Sequence, residues 1–186
     1  MEDFRNHFSE YFKDIDIKTL GVNNGNTQVA ERKVIEHMEN LFNQMGFTYL
    51  KAGSQQAGDF RRINGTSKNI EVKIVTNKFN IIFNDTFPSS DTDYVIFFTG
   101  KTYKKHVYLP QILLINGKHF IEESEEWANE VNKFLSDLKD KYCRGENKKQ
   151  LTGLMRCYFR PTWSSTIFPF INNTKFTVYQ STQLLV

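Results

Sequence analysis

An α/β domain with a central mixed β-sheet flanked by helices is the fold class this sequence predicts. Three observations carry the prediction. Amphipathic helical patterns lie at the start of the chain, a cluster of short β-rich runs fills its middle from Phe47 to Ile115, and a further long helical pattern follows before short late strands. Helices on both sides of a strand-rich centre place a sheet inside and helices outside.

The elements follow in chain order. In DFRNHFSEYFKDI the residues Phe4, Phe8, Tyr11, Phe12 and Ile15 recur at helical spacing, which predicts an amphipathic helix. The polar stretch GVNNGNT separates it from a longer helix, expected from about Thr27, suited to an N-cap, to Met45, with Gly46 placed to end it. Strands are expected in FTYLKA, GDFRRI, KNIEVKIV, FNIIF, DYVIFFT and HVYLPQILLI, and Asn64-Gly65-Thr66-Ser67 signals a hairpin between the second and third. ESEEWANEVNKFLSDLKDKYC reads as a helix capped at Ser124, with Trp127, Val131, Phe134, Leu135, Leu138 and Tyr142 as its apolar stripe. LMRCYFR and KFTVYQS are the expected late strands.

Size and composition bound the function. A chain of 186 residues with 39% hydrophobic content and 17 Phe can fill one core, so a single domain over 1–186 is expected. The formal charge of +3, from 24 Lys and Arg against 21 Asp and Glu, permits a polyanionic partner without demanding one. Cys143 and Cys157 are too few for a disulfide framework, and MEDFRNHFSE carries acids where a signal peptide needs basic and apolar residues. No apolar run approaches the ~20 residues that span a bilayer. The expectation is a cytoplasmic protein without a membrane partner.

The chemistry concentrates in GDFRRINGTSKNIEVKIV, residues 58 to 75. Strand alternation puts Ile70, Val72 and Ile74 on one face and Glu71, Lys73 and Val75 on the other. In the preceding strand Asp59 shares a face with Arg61 and Ile63, and a three-residue turn at Asn64, Gly65 and Thr66 with a bulge sets Asp59 opposite Glu71. Two carboxylates across a ladder sit about 5 Å apart and repel. A divalent cation such as Mg²⁺ removes the repulsion, and a water on it can attack a phosphodiester. Lys73, on the same face, then orients or deprotonates that water and offsets developing charge. Glu31 lies in register with Ile35, Met38, Phe42 and Met45 at the start of the long helix's stripe. Two readings fit it: a metal ligand, direct or through water, or an acid that reaches solvent where the helix dipole favours it.

The tripeptide of acid, any residue and lysine also occurs at Asp16-Ile17-Lys18, Glu31-Arg32-Lys33, Asp137-Leu138-Lys139 and Glu146-Asn147-Lys148, so the pattern alone is weak. An exposed strand face bearing a Glu and a Lys is the plain alternative. Only Glu71-Val72-Lys73 sits in a β-branched run, after a hairpin signal, with an aspartate in the neighbouring strand. No GxxxxGK loop, GxSxG elbow or HExxH competes with it. His37, beside the helix stripe, is the histidine of most interest, and basic residues gather at Arg61-Arg62, at Lys101, Lys104 and Lys105, and from Lys139 to Lys149.

With a helix acid, Gly58-Asp59 and Glu71-Val72-Lys73 in this order, the sequence resembles the PD-(D/E)xK nuclease superfamily over about residues 27 to 98, with Gly58 at the proline-like position. As a whole chain it also resembles small subunits of heterodimeric Type IIS restriction endonucleases. The resemblance implies a restriction-endonuclease-like fold, Mg²⁺ held by Asp59 and Glu71 with Glu31 as the helix acid, and Lys73 as the water-activating lysine. It further implies hydrolysis of one strand of duplex DNA near an asymmetric, GAGTC-type site, leaving 5′-phosphate ends. Recognition then belongs to a larger, nicking partner subunit, and the chain carries no separate DNA-recognition domain. Two other readings stay open: a structure-directed or repair nuclease acting as a homodimer, and a non-catalytic nucleic-acid-binding assembly subunit.

Overall fold

The computed structural model describes residues 2–20, 27–52, 58–75, 80–83, 86–103, 105–121, 124–143, 161–164 and 176–179. Three helices lead: α1 over Glu2–Phe12, the single turn α2 over Ile17–Leu20, and α3 over Thr27–Gln44. Then follow β1 (Leu50–Lys51), β2 (Phe60–Arg61), β3 (Asn69–Val75), β4 (Asn80–Ile82), β5 (Thr92–Phe98), β6 (Lys101–Tyr103), β7 (His106–Tyr108) and β8 (Gln111–Asn116). Helix α4 (Glu125–Cys143) and strands β9 (Thr162–Ser164) and β10 (Phe176–Tyr179) complete the described chain.

The main sheet is six-stranded, in the order β1-β2-β3-β5-β8-β10. It is mixed, with β3 parallel to β5, β8 parallel to β10, and the other neighbours antiparallel. Strand β5 is buried at all seven positions, as a central strand covered on both faces must be. One face packs Ile70, Val72, Val95, Phe97, Ile112 and Leu114 against Phe8, Phe12, Val34, Met38 and Phe42 of α1 and α3. The opposite face gathers Val75, Tyr94, Ile96, Phe98, Leu113 and Ile115 with Ile81 and Phe83. The α/β expectation of a mixed sheet with flanking helices therefore holds.

Helix α3 ends where its glycine sits. Gly46 adopts φ +70, Phe47 N donates to Phe42 O at 2.9 Å, and Gly46 N donates to Asn43 O at 3.2 Å. This is a Schellman end, and the Phe42 and Phe47 rings, 5.7 Å apart, supply its apolar contact.

Three expectations need correction. The stripe assigned to α4 is not a buried face: Ala128 is buried, but Trp127, Phe134 and Leu138 are 56%, 61% and 37% exposed. Helical period fixes which residues share a face, and only packing decides whether that face is covered. HVYLPQILLI is two strands, β7 and β8, because Pro110 has no N–H to give a ladder. The hairpin connection is not three residues but the seven residues 62–68 between β2 and β3, with a 3-10 turn over Ile63–Gly65 and left-handed Arg62 and Asn64. KFTVYQS contains β10, whereas LMRCYFR lies outside the described residues. No helix among the described residues is long and apolar enough to cross a membrane.

Candidate active site

Strand β3 pairs with β2 through Phe60 and Ile70, and the same antiparallel register, carried one residue further, sets Asp59 opposite Glu71. The expected juxtaposition is present although the turn that produces it is longer. The alternation is present too, because Ile70 and Val72 enter the core under α3 while Val75 joins the opposite core. Glu71 and Lys73 share the second face, and parallel pairing puts Tyr94 of β5 beside Glu71 and Ile96 beside Lys73.

Local chemistry knits the two strands where the regular ladder stops. Gly58 N donates to Glu71 Oε2 at 2.9 Å, and Val72 N donates to Asp59 Oδ2 at 2.7 Å. Each acid thus satisfies a backbone N–H of the other strand, and each carboxylate is fixed in place. Gly58 holds φ +76, a conformation that a proline ring, locked near −65°, cannot adopt. The departure from a proline at this position is therefore a requirement of this backbone. Lys73 Nζ is ion-paired and hydrogen-bonded to Glu71 Oε1.

The pair is not an exposed strand face. The Lys73 and Glu71 side chains are 16% and 19% exposed, and Asp59 is half-buried. Burial, then the Glu71 charge, push the Asp59 carboxyl up to about 7; the Val72 N–H and Lys73 oppose this, and Glu31 adds to it. Burial, then Glu71 and Asp91, push the Tyr94 phenol up as well.

Glu31 stands differently from its expected place. The buried side of α3 runs through Ala30, Val34, Met38, Leu41 and Phe42, with Ile35 and Met45 at its margin. Glu31 is exposed beside that face, yet close enough for its charge to act on Asp59. Among the described residues no three or more His, Cys, Asp and Glu side chains form a group that could hold a metal ion, so Glu31 does not close a three-acid cage with Asp59 and Glu71. Two opposed carboxylates, one of them raised in pKa by burial and then by the other's charge, do suit a hard divalent cation that retains most of its own waters.

Comparisons with protein-family models, with curated proteins and with solved structures each gave no match.

One neighbour of the site, Tyr94, was not apparent from the sequence, whereas Arg61 was expected on the Asp59 face. Tyr94 arrives through the parallel β3–β5 pairing, which connects residues far apart in the chain. Arg61 lies on the Asp59 face, with its Cγ 3.4 Å from where a Gly58 side chain would begin, and its Nε is buried without a hydrogen-bond partner among the described residues. His37 is placed between helices: its Nδ1 is 3.3 Å from Tyr11 Oη, and its ring lies 6.1 Å from that of Phe12. Its role is packing of α1 on α3.

Proposed function

We propose that this chain is the cleavage subunit of a Mg²⁺-dependent DNA endonuclease with a restriction-endonuclease-like fold, hydrolysing one strand of duplex DNA near an asymmetric, GAGTC-type site that a larger nicking subunit recognises. The observation that carries the nuclease reading is the meeting of Asp59, Glu71 and Lys73 on one partly shielded face, with the Asp59 carboxyl pushed up to about 7 first by burial and then by the Glu71 charge. The Lys73 ammonium engages Glu71 Oε1 and offsets only part of the repulsion between the two acids, since the Asp59 carboxyl stays raised beside it; a divalent cation between them would offset the rest. The partner and the site rest on the sequence resemblance.

Asp59 and Glu71, each steadied by a backbone N–H across the strands, would hold a Mg²⁺, which when bound would supply positive charge toward the phosphate and a water of lowered pKa. Glu71 also positions Lys73, whose ammonium aligns the attacking water and offsets charge on the phosphorus centre as the new P–O bond forms and the bond to the 3′ oxygen breaks, the water's proton passing to solvent and the departing 3′ oxygen taking one from it. The products are a 5′-phosphate and a 3′-hydroxyl. Tyr94, buried beside Glu71, keeps its hydroxyl protonated and helps exclude bulk water.

Strand-specific gels of duplex cleavage in Mg²⁺, for wild type and Lys73→Ala, each alone and each mixed with a candidate nicking subunit, test the proposal. Wild type in the mixture cuts the second strand and Lys73→Ala loses at least about 100-fold in rate. Equal cutting by Lys73→Ala removes the catalytic assignment, and unaided cutting of branched DNA by wild type replaces the partner-delivered reading with a structure-directed nuclease.

A further inference from the structure

From Tyr94 to Ile121 the chain contains no Asp or Glu and four lysines, in a protein otherwise nearly balanced in charge. Within this stretch β6 and β7 form a two-stranded antiparallel sheet of their own, paired through Lys101 and Tyr108, Thr102 and Val107, and Tyr103 and His106. It joins no other described strand. Its outer residues are open to solvent: Thr102 and Lys105 are exposed, Val107 is 67% exposed, and Leu109, which follows, is 44% exposed. An isolated hairpin of three-residue strands contributes little to a core and is marginal by itself. Its composition, KTYKKHVYL, combines cations with aromatic and aliphatic residues.

The hairpin's position is defined by the sheet. Parallel pairing aligns Lys73 with Ile96 and Val75 with Phe98, and Thr99 N donates to Val75 O at 3.0 Å. The arm begins two residues beyond Thr99, at the same end of the sheet toward which Glu71 and Lys73 advance. At ~3.3 Å per strand residue and ~4.8 Å between strands, the Lys101 backbone can be no farther than about 20 Å from that of Lys73. That limit is at most about six base steps of duplex, at roughly 3.4 Å per phosphate along one strand. The two residues between the paired Tyr103 and His106 are Lys104 and Lys105, and Lys105 takes a left-handed φ of 67°. Glycine or asparagine suits that conformation better, by about 1 kcal/mol, so the lysine there carries local strain.

We propose that the β6–β7 hairpin is a DNA-backbone arm, whose lysines engage phosphates within about six base steps of the bond that Lys73 faces. The proposal rests on the duplex-DNA reading above and adds the surface that holds the duplex to the cleavage face. Such contacts are independent of sequence and dependent on salt, because each phosphate neutralised releases condensed counterions. They suit a subunit that does not itself read bases.

The test measures fluorescence anisotropy of a labelled 20-base-pair duplex in EDTA across a NaCl series. It compares wild type, Lys73→Ala, a hairpin double variant (Lys104→Gln with Lys105→Gly, the glycine suiting the positive φ), and a charge-matched control (Lys13→Gln with Lys18→Gln). The hairpin variant is expected to bind at least about 10-fold more weakly at 100 mM salt, with a log K against log [salt] slope shallower by about 2, while the control keeps the wild-type slope. Equal loss in the control, an unchanged slope in the hairpin variant, or no duplex binding by wild type even at low salt overturns the arm. Melting curves of all four proteins establish that the variants are folded. Failure of the nuclease reading is separate: it appears as cleavage unaffected by Lys73→Ala, whatever the hairpin variant does to binding.

Discussion

At the scale of single residues, the Asp59 carboxyl carries the largest consequence. Its folded pKa of about 7 lies above the 3.8 of a free aspartate, first through burial and then through Glu71. The proton-linked stability is fully present below the unfolded pKa, where the group is protonated in both states, and is lost as pH rises through the folded value. Between those limits the folded chain holds a proton that the unfolded chain has released. In EDTA at pH 8.5, Asp59→Asn is therefore expected to be more stable than wild type, by roughly 1–3 kcal/mol, with the gap closing near pH 4. The amide oxygen still accepts the Val72 N–H, so that bond is kept. Urea midpoints at the two pH values measure it, and a variant less stable at both would show that the acid pair is not repulsive.

At the scale of elements, α1 is held on α3 through aromatic packing in which His37 takes part, with Tyr11 and Phe12 at ring distances of 6.0 and 6.1 Å. Burial lowers the His37 pKa, and Glu36 opposes this. Its contribution is present above the unfolded pKa of about 6.5 and is lost as pH falls from there through the lower folded value, because the folded chain resists the proton that the unfolded chain accepts. His37→Gln is expected to flatten the fall in Tm between pH 7 and pH 5 by about 1–3 °C. A wild-type and variant Tm that decline in parallel across that range would sever His37 from the helix contact. The end of α3 was legible before any coordinates, since Gly46 after an apolar period announces a left-handed cap. The exposure of α4's stripe was not, because period alone does not report what lies opposite.

At the scale of the whole molecule, stability is concentrated in the core between the sheet and α1 and α3. Phe97, at 0% exposure, meets Phe12 edge-on with centroids 5.3 Å apart. Phe97→Ala is expected to cost about 3–5 kcal/mol, as deletion of a buried ring does. Phe134→Ala, at a residue 61% exposed on α4, should stay within about 0.5 kcal/mol. Denaturant midpoints for the pair check this contrast, and comparable losses at both positions would mean that the α4 stripe is covered in solution. The site sits at the join of these scales: β3 gives one face to the main core and the other to Glu71 and Lys73.

What the sequence determined by itself is what depends on local period and covalent geometry. The helices α1 and α3, the glycine end of α3, and the two-faced character of β3 follow from spacing alone. The opposition of Asp59 and Glu71 was also legible, although through a shorter turn, because register depends on the sum of paired positions and the seven-residue connection preserves that sum. The tertiary structure alone decided that Glu71 and Lys73 lie in a partly buried setting, that Tyr94 stands beside Glu71, that Glu31 is exposed next to α3's buried face, and that β6 and β7 leave the main sheet. Those outcomes depend on contacts between residues distant in the chain. Such contacts are set by competition for core volume and by desolvation, neither of which leaves a periodic mark in the sequence.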